Sequence, residues 1–280
     1  MTAIMVQGTT SSAGKSLMCS ALCKIFNEDG LKVYPFKSQN MSSKSHITEE
    51  GYEISVAQAL QATAAGLKPN PNMNPILLKP TTDRKSQVFI KGSKYKDMDA
   101  VEYFQFKTSL RPMIVETFKE IEKNFDVVVI EGAGSPAEIN LKENDIVNMG
   151  MAEIADAPVL LIADIDRGGV FASLYGTVML LEEDERKRVK GLIINKFRGD
   201  KILLEPGLKM IEELLNIPVV GTIPYLSLNL EEEDSLGDKK NNEGSCNVNV
   251  EDELEKLAKA VRENMDMDYV YSLIQRSNHE

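Results

Sequence analysis

Gly8-Thr9-Thr10-Ser11-Ser12-Ala13-Gly14-Lys15-Ser16, entered from the apolar run Ala3-Ile4-Met5-Val6, decides how this chain is read. An apolar run feeding a Ser- and Gly-rich turn that ends in Gly-Lys-Ser predicts a buried strand, a loop and the first turn of a helix. In such a loop backbone N–H groups close around phosphate oxygens, the lysine supplies a point charge, and the hydroxyl that follows holds Mg²⁺. The expected nucleotide contacts are Thr9, Thr10, Ser11, Ser12, Ala13, Gly14, Lys15, Ser16 and Leu17. Five residues separate Gly8 from Gly14, one more than the usual P-loop spacing, so the loop is a variant of that motif.

Outward from the loop, short β-branched runs alternate with longer amphipathic stretches. Ile4–Gln7, Val33–Lys37, Val127–Ile130, Val159–Asp164, Leu192–Asn195 and Val219–Ile223 read as strands, and their continuous apolarity implies helices on both faces. Lys15–Asp29 carries Leu17, Met18, Ala21, Leu22, Ile25 and Phe26 at helical spacing and stops at Gly30. Further helices are expected across about 52–65, 99–124, 145–156, 170–182, 205–215 and 251–264. This order predicts an α/β fold with a doubly wound, mostly parallel sheet of the P-loop NTPase type.

Ligands of such sheets gather at the carboxyl ends of the strands, and six strand ends here carry polar residues. Glu131 closes the third run beside Gly132 and Gly134. A carboxylate there, opposite Ser16, suits a hard Mg²⁺ that keeps its waters, and the competing reading is a pair with Lys15. Glu53, placed early in the helix after Gly51, offers a further carboxylate to the same ion. Lys37 ends a buried strand, an expensive place for a charge unless an anion or carboxylate adjoins it. Phosphoryl transfer is catalysed mainly by positioning and charge neutralisation, so Lys15, Lys37 and Glu131 are the candidate catalytic residues. Asn195-Lys196 resembles the element with which many P-loop proteins hold the base.

The 280 residues predict a domain over 1–228, a polar loop or linker over 229–250, and a C-terminal segment over 251–280 docked on the same domain. Leu254, Leu257, Ala258 and Val261 give that segment an apolar face. A net charge of −11 disfavours sequence-independent nucleic-acid binding and anionic membranes, since both need a basic footprint. The absence of a spanning apolar run or a signal-like start leads to an expected cytoplasmic location. Cys19 and Cys23 read as apolar packing on the first helix and Cys246 as a lone thiol. Only His46 and His279 could serve a nucleophilic centre, and neither has a recognisable context.

Longer stretches carry a family resemblance. They are Gln7 to Ser16, Pro35-Phe36-Lys37-Ser38-Gln39-Asn40-Met41, Met73-Asn74-Pro75 through Lys79-Pro80-Thr81, Glu131 to Leu141, Glu143 to Gly150, Asp164 to Phe171 and Asn195 to Asp200. From Met5 to about Gly237 the chain resembles the synthetase portion of the cobyric acid synthases, which are related to dethiobiotin synthetase. The resemblance implies ATP- and Mg²⁺-dependent amidation of corrinoid carboxylates through an acyl phosphate. It assigns Ser16, Glu131 and Glu53 to Mg²⁺, Lys15 and Lys37 to phosphate oxygens, and Asn195 to adenine. It makes the loops with Gln39, Asn40, Asn140, Asp145 and Asp166 candidates for binding the corrinoid.

Cobyric acid synthases normally continue into a glutaminase domain, and no such sequence follows here. Ammonia is then expected from solution, from a separate glutaminase chain or from a missing domain, and a homodimer is compatible with the reading. Two rival readings stand beside it: a nucleotide-binding regulatory subunit, and a ParA- or MinD-like ATPase. The second lacks its signature lysine, because Thr10 occupies that position.

Overall fold

The computed structural model describes residues 2–82, 85–230 and 249–275. It starts with β1 (Thr2–Gly8), α1 (Lys15–Glu28) and β2 (Val33–Phe36). A long excursion then runs through β3 (Gln39–Met41), β4 (Ser45–Ile47), β5 (Glu53–Ser55), α2 (Val56–Ala64), β6 (Ile76–Thr82), β7 (Lys85–Ile90), β8 (Ser93–Asp99), α3 (Ala100–Phe106) and α4 (Arg111–Glu122). The remaining elements are β9 (Val127–Glu131), α5 (Met149–Ile154), β10 (Val159–Asp164), α6 (Val170–Leu180), α7 (Glu183–Arg188), β11 (Val189–Phe197), α8 (Lys201–Leu215), β12 (Val219–Pro224), α9 (Val250–Asn264) and α10 (Met267–Gln275).

Six strands, in the order β12-β11-β10-β1-β9-β2, form one parallel sheet among the described residues. All six expected strands are in it, and the fold is α/β. Alternate residues feed two apolar layers. Met5, Val128, Ile130, Leu161 and Ile194 face one layer, and Ile4, Val129, Leu160, Ile162 and Ile193 face the other, with α1. The register sets Val6 opposite Glu131, Gly8 opposite Ile162 and Asp164 opposite Asn195. Parallel alignment therefore brings the polar strand ends to one edge.

The excursion departs from the sequence reading. β3, β6, β7 and β8 make a second sheet, and β4 pairs with β5. The β7–β8 hairpin turns at Lys91 and Gly92, both at positive φ, as a two-residue turn matched to strand twist requires. Val88 and Met98 from this hairpin join Ile76 and Leu78 in the same layer as Phe36 and Ile130, so the second sheet shares the central core. The helix expected from residue 52 begins only at Val56, because the Ser55 hydroxyl accepts from Gln58 N at 3.2 Å and caps it. Glu53 accordingly lies in a strand, not in a first helical turn. The stretch 99–124 is divided where Pro112 opens α4.

At the other end of the described residues, α9 packs against α1 and places Leu254, Leu257, Ala258 and Val261 in the layer that holds Leu22 and Phe26. Lys24 pairs with Glu251, and Arg262 grips Asp29 at 2.8 Å. Arg262 and the Tyr271 hydroxyl hold the Asp29 carboxyl below its ordinary value, against a smaller upward push from burial. No described helix is long and apolar enough to cross a membrane. Cys246, His279 and all but the ends of 229–250 lie outside the described residues.

Candidate functional site

Between β1 and α1 the chain turns through Gly14, whose φ of +99° lies in the left-handed region. A Cβ on Gly14 would stand 2.1 Å from Asn195 Nδ2, and one on Gly8 would meet the Thr10 carbonyl oxygen at 2.9 Å. The glycines therefore permit close approach as well as the turn. Strands on one side secure the loop. Thr9 N donates to Ile162 O at 3.0 Å, Asn195 Nδ2 donates to Ala13 O at 2.9 Å, and Lys196 Nζ donates to Ser12 O at 2.9 Å. Lys196 also pairs with buried Asp164 at 3.0 Å. Lys15, itself buried, arches back over the loop and donates to the carbonyls of Thr10 at 2.8 Å and Ser11 at 2.9 Å.

Next to this loop lies a buried polar cluster built by four neighbouring elements, β2, β9, α1 and α2. Glu131, at the end of β9, is only 1% exposed and Lys37, just past β2, is 5% exposed. Lys37 Nζ and the Ser16 hydroxyl both donate to Glu131 Oε1 at 2.7 Å, and Gln61 Nε2 donates to Oε2 at 2.5 Å. Burial alone would raise the Glu131 carboxyl. The Lys37 charge and the hydrogen bonds from Lys37, Ser16 and Gln61 outweigh burial and hold it below its ordinary value. Glu131 thus has an ion-pair partner in Lys37 at 2.7 Å, where the sequence reading weighs Lys15 for that pairing. Lys37 also gains the neighbour that a charge at a buried strand end requires.

A hydroxyl and an ionised carboxylate meeting beside a phosphate loop are hard oxygen donors, which suits a divalent ion that keeps several waters. Among the described residues no group of three or more His, Cys, Asp or Glu side chains forms a cation cage. Such a cage is not needed when one or two protein ligands and phosphate oxygens complete the sphere. Cys19 lies nearby, and burial and then the Glu131 charge push its thiol up, in keeping with an inert packing role.

The remaining predicted residues separate into those near this cluster and those bound elsewhere. Glu53 Oε2 accepts from Lys79 at 2.6 Å and from Ser45 at 2.6 Å, and no hydrogen bond ties it to Ser16 or Glu131. Gln39 Oε1 accepts from the Tyr103 hydroxyl at 2.6 Å, and Asn40 is buried in β3 alongside β6. Asn140 is exposed on a 3₁₀ turn over Ile139–Asn144. Asp145 shapes its own loop: Oδ1 accepts from Val147 N at 2.8 Å and Asn148 N at 2.9 Å, and Oδ2 from Gly150 N at 2.9 Å. Asp166 pairs with Arg198 at 3.0 Å, and that guanidinium lies 3.4 Å from the centre of the Tyr225 ring.

Sequence reasoning missed Gln61, Asp164 as a partner of Lys196, and Lys79. Gln58 and Gln61, three apart on an otherwise alanine-rich helix, are the one signal that could have exposed a buried polar task for α2.

Residues 4–235 match the model of the CobQ/CobB/MinD/ParA nucleotide binding domain. The cobyric acid synthase of Alkaliphilus metalliredigens is 65% identical over 235 residues, which cover 84% of this chain and 47% of that protein. The cobyric acid synthase of Clostridium acetobutylicum is 63% identical over 234 residues, 84% of this chain and 48% of that protein. The chain thus spans about half the length of the curated relatives it matches. Among solved structures, the signal recognition particle receptor FtsY of Elizabethkingia anophelis in complex with GDP aligns over 79% of this chain and 56% of that one, at 18% identity and a TM-score of 0.45. The MinC:MinD complex of Aquifex aeolicus aligns over 81% and 82%, at 12% identity and 0.44. With its phosphate loop, parallel sheet and matched residues in agreement, the chain belongs to the family of CobQ/CobB/MinD/ParA nucleotide-binding domains.

Proposed function

We propose that this chain is an ATP- and Mg²⁺-dependent amidoligase unit that converts side-chain carboxylates of a corrinoid to amides. The observation that carries the reading is the buried Lys37–Glu131–Ser16 cluster beside Lys15, which concentrates phosphate- and cation-directed groups at one strand edge. The high identity to proteins named cobyric acid synthase supports the corrinoid as substrate.

In the proposed reaction the substrate carboxylate takes the γ-phosphoryl group of ATP to give an acyl phosphate and ADP. Ammonia then adds to the acyl carbon, a proton is lost and inorganic phosphate leaves. Backbone N–H groups from Thr9 to Ser16 orient the phosphates, with Leu17 following in the first turn, and Lys15 neutralises their oxygens. Ser16 and Glu131 would hold Mg²⁺, which would supply charge neutralisation to the phosphate oxygens when bound. Lys37 balances Glu131 in the structure described here, and with that carboxylate shared its ammonium serves the transferring oxygens. Asn195 gives its amide N–H to Ala13, which leaves its carbonyl oxygen to accept from an adenine amino group.

Gln39 and Asn40 in β3, Asn140 on its 3₁₀ turn and the Asp166–Arg198 pair would contact the corrinoid, and Asp145 supports the loop that follows Asn140. Glu53 joins the cation only by exchanging Lys79. Ammonia is supplied from solution, by a separate glutaminase chain or by a domain beyond these residues, and the setting is cytoplasmic.

The test combines the protein with Mg·ATP, ammonium and cobyrinic acid a,c-diamide, following ADP release and product mass. Carboxyl-to-amide mass changes in step with ADP are expected, and Lys15→Ala lowers the rate by about 10²–10³. ATP turnover with no amide product would overturn the reading in favour of a positioning ATPase or switch.

A further inference from the structure

Gln58 and Gln61 on α2 are both fully buried, yet they are polarised in one direction. Gln61 Nε2 donates to Glu131 Oε2 at 2.5 Å, and Gln58 Nε2 donates to Gln61 Oε1 at 2.8 Å. Gln58 Oε1 meets no donor. A buried amide oxygen without a donor is uncommon and asks for a cause.

The cause is the carboxylate at the end of the row. An ionised Glu131 can only accept, so Gln61 must turn its NH₂ toward it. The Gln61 carbonyl then faces Gln58, which must present its own NH₂. The last oxygen in the row is left with nothing to accept. Helix α2 is also anchored against sliding, since Ser55 caps it and Ser55 N donates to Asn74 Oδ1 at 3.3 Å.

We propose that Gln61, kept in one amide orientation by Gln58, is a positioning residue that fixes Glu131 so that Oε1, the oxygen bound by Ser16, is the one offered to the divalent cation. This rests on reading Ser16 and Glu131 as the protein ligands of that cation. Partners behind a ligating carboxylate commonly change metal affinity by about 10–100-fold when removed.

The probe is Mn²⁺ titrated into the full chain with ADP and followed by the paramagnetic resonance of the free ion. Gln61→Met is expected to weaken Mn²⁺ binding by about 10–100-fold while ADP binding without metal stays unchanged. Gln58→Met, which leaves every Glu131 contact in place, should weaken Mn²⁺ binding in the same direction by a smaller factor. It removes the unpaired Gln58 oxygen but takes the donor from Gln61 Oε1, so a modest fall in melting temperature is expected alongside the weaker Mn²⁺ binding.

Mn²⁺ affinity in Gln61→Met within about twofold of the parent, against the loss expected above, overturns the positioning role, provided Glu131→Gln loses binding. Unchanged binding in both Glu131→Gln and Ser16→Ala overturns the cation site itself. Should Gln61→Met fail to fold, unaltered binding in Gln58→Met overturns the proposal alone.

Discussion

Replacing Lys37 by Met tests whether the Lys37–Glu131 pair is a structural necessity of the ligand-free protein. The two side chains are 7% and 1% exposed and 2.7 Å apart, so solvent screens the pair little. Removing one member of a buried pair costs about 3–5 kcal/mol, because the other charge stays behind. Glu131 retains Ser16 and Gln61 as donors, which places the expected loss at the lower end, about 3 kcal/mol. In a domain of this size each kcal/mol moves the melting temperature by about 2–4 °C, so the variant should melt about 6–12 °C below the parent at pH 7. Lys37→Met/Glu131→Leu should recover most of that loss, since no stranded charge remains.

The same variant has a pH signature with a definite sign. In the parent the folded-state pKa of Glu131 lies below its unfolded value, so its contribution is complete above the unfolded pKa and is lost as pH falls through the folded one. In Lys37→Met the leading downward influence on Glu131 is gone, so burial pushes its carboxyl up relative to the parent. The loss relative to the parent is then fullest at neutral pH and is relieved in acid. The gap between the two proteins therefore narrows as pH falls from 7 towards 4. Thermal melts by circular dichroism across that range measure it. A single variant that melts with the parent at pH 7, or a gap that widens in acid, would refute the reasoning.

Gly14→Ala forces a side chain into a left-handed position and against Asn195, and ADP affinity by calorimetry should fall about 5–30-fold, the equivalent of a strain of about 1–2 kcal/mol borne by the binding loop. Gly134→Ala, also at positive φ but with open space around it, should leave ADP affinity unchanged. Asp145→Ala removes the acceptor of three backbone N–H groups and should cost about 2 kcal/mol, with amide exchange accelerated at Val147, Asn148 and Gly150. Leu257→Ala empties part of the layer between α9 and α1, and urea unfolding should report a loss of about 2–5 kcal/mol.

The central sheet was legible because its strands are apolar on both faces and its helices carry a 3.6-residue period, signals that survive without tertiary information. The excursion after β2 was not. β8 reads Ser93-Lys94-Tyr95-Lys96-Asp97-Met98-Asp99, an exposed strand whose one buried anchor is Met98, so no apolar run announces it. Glu53 shows the same limit at the site. An acidic residue after a glycine fits a first helical turn, and only the Ser55 cap and the pairing of β4 with β5 make it a strand residue bound to Lys79. Lys37, by contrast, could be read correctly from its cost: a charge at the end of a buried run needs a carboxylate, and the neighbouring strand ends in one. Which carboxylate oxygen meets which donor depends on register, and register was not visible.

The phosphate loop has a fixed half and an exchangeable half, and this bears on how it accepts a nucleotide. Residues Ser12 and Ala13 are pinned by Lys196 and Asn195 from β11, groups that come some 180 residues later in the chain. Thr10 and Ser11 are exposed, and their carbonyls are bound by Lys15 from the loop's own helix. On the proposed reading phosphate oxygens, which add a charge–charge attraction that a neutral carbonyl lacks, would displace these two acceptors, and the released carbonyls would turn to water. Binding would then reorganise one lysine and one exposed turn while the strand-anchored segment keeps its shape. Confining the rearrangement in this way limits the ordering cost that would otherwise reduce affinity.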